Sequence, residues 1–104
     1  MTNASTALRA LGDPTRQMIF EHLAKRPLAV VELANVVPIS RPAVSQHLKV
    51  LKDAGLVMVR QEGTRHLYQV DPKGVEMMRQ YLDRMWGKAL ASFKAFAERD
   101  SLKP

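Results

Sequence analysis

Around Gly55 the hydrophobic pattern of this chain changes period with no linker between the two halves. Ser40, a helix N-cap residue, precedes RPAVSQHLKVLKDA, and Gly55 then stands at the C-terminal stop position. Val44, Leu48 and Leu51 recur at i, i+4 and i+7, which places them on one face of that helix. Directly afterwards come LVMVRQ, the tip Glu62-Gly63-Thr64 and RHLYQV, two β-rich runs around a glycine-containing turn. Val57 and Val59 alternate on one face of this hairpin, as do His66, Tyr68 and Val70. A capped helix abutting a hairpin leaves few folds open.

The rest of the chain is punctuated as clearly. Leu8 and Leu11 form a short apolar stripe within residues 4–11, stopped at Gly12. Asp13-Pro14 is an N-cap followed by proline at the first helical position, opening a helix over 14–25. It turns Met18, Ile19, Phe20 and Leu23 inward, and Pro27 ends it. Leu28 to Val37 reads as a short helix with Glu32 and Asn35 outward, stopped at Pro38. Asp71-Pro72 repeats the cap-plus-proline signature and opens a last helix over 72–99, about 40 Å long. That exceeds the width of a domain of this size, so part of the helix must pack on something else.

The predicted fold is mainly α with a small β-hairpin: a winged helix-turn-helix of order ααααββα with a long C-terminal dimerisation helix. A length of 104 residues fits one domain, 1–104, with the helix-turn-helix at 29–54, the wing at 56–70 and the last helix at 72–99. No internal repeat or low-complexity tract interrupts it.

Charge narrows the partner. Sixteen Lys and Arg stand against 10 Asp and Glu, a formal net charge of +6. Half of that surplus lies within residues 41–66, where five Lys/Arg meet two Asp/Glu. The absence of cysteine excludes disulfides, thiolate metal sites and cysteine nucleophiles. The N-terminus has no apolar run of signal-peptide length, and no segment approaches the ~20 apolar residues of a membrane span, so a cytoplasmic protein without a membrane partner is expected. Catalysis has no support: there is no nucleophile elbow and no glycine-rich phosphate loop, and Asp13 and Asp71 are explained as caps.

Opposite the apolar stripe of the recognition helix, 41–54, lie Pro42, Ser45, Gln46, Lys49 and Asp53, with Arg41 and Lys52 on the flank. A helix entering a major groove needs such a face of amide, hydroxyl and cationic groups. Gln46 suits adenine N6/N7, Ser45 donates or accepts, Arg41 suits guanine or phosphate, and Ser40 sits at the N-terminus near phosphate. In the wing, Arg60 and Arg65 flank the tip, with Thr64 on it. Any exposed amphipathic helix has a polar face, and two arginines near a turn are commonly only solvated; the two features together point to double-stranded DNA.

LGDPTRQMIFEHL followed by SRPAVSQHLKVLKDAGLVMVRQEGTRHLYQV resembles the ArsR-type family of small dimeric bacterial winged-helix repressors over roughly residues 5–72. The resemblance implies that Arg41, Pro42, Ser45 and Gln46 face an operator, that Arg65 lies in the wing, and that the first and last helices form the dimer interface. Members that sense metals carry Glu-Leu-Cys-x-Cys on the third helix; here the positions read Glu32-Leu33-Ala34-Asn35-Val36, without either thiolate. Members with a second site use Asp and His of the last helix, and no histidine follows residue 72 here. His22, His47 and His66 are not paired at ligand spacing. No metal or cofactor is expected.

On the last helix Val75, Met78, Leu82, Met85, Ala89, Phe93 and Phe96 recur at three- and four-residue spacing, broadened by Tyr81, Trp86, Leu90 and Ala97. We read Met78, Leu82, Met85, Trp86, Ala89 and Phe93, closed by Leu8 and Leu11, as a two-fold dimer interface. A sharper alternative makes Met77, Met78, Met85 and Trp86 the wall of a small apolar ligand site. Six Lys/Arg against five Asp/Glu between 71 and 100 argue against a membrane-surface helix. The expected function is a homodimeric, sequence-specific repressor on an inverted-repeat operator, with any small-molecule or protein inducer undefined. The alternatives are a low-specificity architectural DNA binder and a winged-helix protein-interaction module.

Overall fold

The computed structural model describes residues 3–101; residues 1–2 and 102–104 of the span 1–104 lie outside the described residues. The order is α1 (Ala4–Ala10), α2 (Pro14–Lys25), α3 (Val30–Val36), α4 (Arg41–Asp53), β1 (Val57–Glu62), β2 (Arg65–Val70) and α5 (Pro72–Ser101). This is the predicted winged helix-turn-helix.

Each predicted N-cap carries its hydrogen bond. Asp13 Oδ1 accepts from the Arg16 N–H at 3.0 Å, and Ser40 Oγ accepts from the Ala43 N–H at 3.3 Å. At the head of α5, Asp71 Oδ1 accepts from the Lys73 N–H at 3.0 Å. Gly55 ends α4 with φ of 79°, the left-handed geometry that glycine adopts without steric penalty.

The core is made by Ile19 and Leu23 of α2, Leu33 of α3, Val44, Leu48 and Leu51 of α4, and Leu56 and Val57 at the entry to the hairpin. Two expectations need correction. Met18 is exposed, because Ile19 and Leu23 already fill the inward sector of α2. α1 buries Ala4, Ala7 and Ala10 in the protomer, while Leu8 and the C-cap Leu11 are half-buried and partly free for a second protomer. Small side chains let α1 lie close to α4 and α5. Leu28 is not helical: it exchanges hydrogen bonds with Tyr68, N–H to O 3.0 Å and O from N–H 2.8 Å, as a one-residue third strand. α3 therefore starts only at Val30.

The hairpin pairs as its alternation implied. Its register, Val57 opposite Val70, Val59 opposite Tyr68 and Gln61 opposite His66, puts the expected residues on one face. Along β2, however, the most buried side chain is Leu67 on the other face, while His66 is exposed. α2 and α3 both pack against β2, which supplies cover for Leu67.

α5 gives the molecule its length. Extents of 70 × 26 × 23 Å and a radius of gyration of 18.5 Å exceed the about 13 Å of a compact 100-residue domain. Met78 packs on the core, and Tyr81 and Leu82 are half-buried. From Asp83 to Asp100 every residue is exposed in the protomer.

Candidate nucleic-acid interface

Helix α4 is fixed from below and free above. Val44, Leu48 and Leu51 are fully buried, which sets the rotation of the helix about its axis. Its middle is also approached from the side: Arg16 of α2, steadied by its Nε donating to the Ala10 carbonyl at 2.7 Å, brings Nη1 to 3.5 Å from His47 Nδ1. His47 is thus a half-buried residue joining α4 to α2.

With that rotation set, Ser40, Arg41, Pro42, Ser45, Gln46 and Lys49 are all exposed along the outer surface. Lys49 Nζ pairs with Asp53 Oδ2 at 3.1 Å, one turn on. Both side chains are well exposed, so the pair holds the ammonium only weakly. The side chains of Arg41 and Gln46 hydrogen-bond to no described residue. The outer face of α4 offers an amide, hydroxyls and cations with no large apolar group except Val50 at its edge.

The wing carries Arg60, Thr64 and Arg65 exposed beside the turn at Gly63, whose φ is 64°. Neither arginine is loose. Arg60 Nη2 lies 3.4 Å from Glu62 Oε2. Arg65 Nη2 donates to Glu32 Oε1 at 2.5 Å, tying β2 to the first turn of α3.

Glu32 is the site residue that sequence reading missed. It was expected to point outward, yet it lies at the centre of a small network. Its Oε1 also accepts from the Ala29 N–H at 2.9 Å, and Arg26 Nη1 is 3.9 Å from Oε2. The Ala29 hydrogen bond foremost, then Arg65 and Arg26, hold its carboxyl below the ordinary carboxylate value against partial desolvation. The only local signal was its place as the third residue of α3, from which a glutamate reaches back to the N-cap amide. Arg65, 33 residues away, gives no sequence signal at all.

The outer half of α5 presents Met85, Trp86, Ala89, Leu90, Phe93 and Phe96, with Trp86 61% and Phe93 69% exposed. So large an unpaired apolar strip on one helix is what an interface looks like before its partner arrives. Within the protomer, Met77 lines a cleft with Asn3, Ala4, Ser5 and Tyr81, whereas Met85 lines another with Arg84 and Lys88. Met78 packs inward. No three His, Asp or Glu side chains cluster as metal ligands among the described residues, and no described helix is long and apolar enough to cross a membrane.

Residues 11–60 match a family model described as a helix-turn-helix domain. Over 87 residues, 84% of this chain and 81% of the relative, the sequence is 58% identical to the HTH-type transcriptional regulator Rv2034 of Mycobacterium tuberculosis. It is 35% identical to the arsenical resistance operon repressor of Staphylococcus xylosus over 76% of each chain. Among solved structures, the homodimeric winged helix-turn-helix DNA-binding domain of Mb0332 from Mycobacterium bovis, described as a possible ArsR-family regulator, superposes with a TM-score of 0.66. It is 27% identical, covering 81% of this chain and 78% of that one.

Proposed function

The chain belongs to the ArsR-type family of winged helix-turn-helix transcriptional regulators, and on that premise we propose that it is a homodimeric repressor of an inverted-repeat operator. Two copies of α4, related by the dimer axis, enter successive major grooves about one or two turns apart, at ~10–10.5 bp per turn. Gln46, Ser45 and Arg41 read base edges, while Ser40, Pro42 and Lys49 meet the backbone around them. Arg60, Thr64 and Arg65 of the wing reach the adjacent groove or its phosphates. The outer half of α5, with Leu8 of α1 and Leu11 at its C-terminal cap, pairs the two protomers. Occupying promoter DNA is the whole of the activity, so no catalytic residue is needed, and the protein works in the cytoplasm where its operator is.

One observation carries this reading: the buried Val44-Leu48-Leu51 stripe turns an unobstructed polar, cationic face outward on a rigidly seated helix. A protein-interaction module would need an acidic or apolar surface there. An architectural binder would share the charge but not the specificity. Fluorescence anisotropy with duplex DNA from immediately upstream of the gene, against a scrambled duplex, separates the two. A repressor prefers the first by roughly 10³ or more, and equal binding supports the architectural alternative.

A further inference from the structure

The two wing arginines are held in different ways. Arg60 pairs with Glu62 on its own strand, a contact that moves with the hairpin. Arg65 is held by Glu32 of α3, and Glu32 is itself anchored by the Ala29 N–H and flanked by Arg26. The backbone exchange between Leu28 and Tyr68 fixes β2 against the same segment. Arg65 engages Glu32 through Nη2 alone, and its side chain is 56% exposed. A guanidinium carries five donors in a planar fork, so this contact leaves Nε and Nη1 available for a phosphate oxygen. Two cations surround one carboxylate, and the cluster stays net positive.

We propose that Glu32 is a positioning residue for DNA recognition: it holds Arg65 by one nitrogen in the orientation in which the remaining donors take a backbone phosphate. The inference rests on the reading that the wing meets DNA. An unrestrained arginine loses rotamer freedom when it grips phosphate, whereas one already held has lost it beforehand. Charge alone predicts the opposite sign, because deleting a carboxylate beside a DNA-facing arginine strengthens the attractive field. The direction of the effect therefore separates positioning from simple competition for Arg65.

The test is anisotropy titration of the upstream duplex with Glu32→Gln, Arg65→Ala, the double variant, and Glu62→Gln as a charge-matched control. Glutamine keeps an oxygen able to accept from the Ala29 N–H but offers Arg65 a neutral acceptor in place of a charge-assisted one, and thermal unfolding verifies that the fold is retained. Glu32→Gln is expected to weaken binding about three- to tenfold despite its added positive charge, Arg65→Ala about tenfold, and the double variant no more than Arg65→Ala. Glu62→Gln, with the same charge change, should not weaken it. Should Glu32→Gln unfold, Glu32→Asp, which keeps the charge but withdraws the carboxylate by one methylene, is expected to give the same loss. Glu32→Gln binding as tightly as the wild type or tighter, or costing as much in the Arg65→Ala background, overturns the inference. Wild-type affinity in Arg65→Ala would instead remove the wing from the DNA reading, and this inference with it.

Discussion

The carbonyl oxygen of Gly55 occupies the place where a side chain at Gly74 would begin, so that a Cβ there would overlap it. Nearby, the Asp71 N–H donates to the Leu56 carbonyl at 2.9 Å. The first turn of α5 is thereby seated on the turn that joins α4 to the wing. This close approach of two glycine backbones, with the Asp71–Leu56 hydrogen bond and the packing of α1, sets how the long helix projects from the winged-helix unit. The contact is backbone, so a side chain cannot be accommodated by a rotamer change. Gly74→Ala is expected to lose about 2 kcal/mol of stability and to melt about 10 °C lower. An unchanged melting temperature would mean that α5 shifts freely on this turn.

The dimer prediction uses residues that touch little in their own protomer. Trp86 and Phe93 lie seven residues apart on one face of α5, both more than half exposed. Phe93→Asp should therefore fold as the wild type does but sediment as a monomer. Losing the linked second half-site should weaken operator binding by at least about 100-fold. A Phe93→Asp protein that still sediments as a dimer would place the interface elsewhere.

A third prediction concerns pH. The Arg16 N–H, above all, holds the Asp13 carboxyl below its ordinary value. A carboxyl depressed in the folded state stabilises above its unfolded pKa, about 4, and that contribution disappears as pH falls through the folded value. Asp13→Ala should melt about 5 °C lower than the wild type at pH 7. The gap should close as both proteins are acidified below about pH 4. Melting curves at pH 7, 4 and 3 check this; a gap independent of pH would mean that the cap does not depend on the charge of the carboxylate, and no gap at any pH would assign the start of α2 to Pro14 alone.

Much of this molecule was legible because its helices are punctuated locally. Asp13-Pro14, Ser40 with Gly55, and Asp71-Pro72 each act within a few residues, and the structure has a hydrogen bond or a left-handed glycine at every one. What was illegible depends on distant partners. Leu28 continues an apolar run and looks helical, until Tyr68 of β2 pairs with it from the far end of the hairpin. Met18 differs from its buried neighbour Ile19 only by which way the helix faces. The outer face of α4 followed from periodicity, since burying Val44, Leu48 and Leu51 fixes what remains outside. Glu32 did not, because its role depends on a guanidinium brought back by the fold.

Base reading is tested at Gln46, which is exposed and free of described partners on the outer face of α4. Gln46→Ala should relax the base preference at one position in each half-site, losing about 1–3 kcal/mol of discrimination there while leaving the other positions unchanged. Selection of preferred duplexes by the wild type and the variant compares the two directly. Identical preferences and full affinity would show that Gln46 is not a reader.

The most direct measurement of the central claim is a hydroxyl-radical footprint of the protein on its upstream DNA at near-physiological salt. A dimer of this architecture should protect two patches related by a two-fold axis, their centres about 10 or 20 bp apart and their sequences inverted repeats. Uniform protection that grows with concentration without register, or a single unpaired patch, would contradict a symmetric repressor reading its operator through α4.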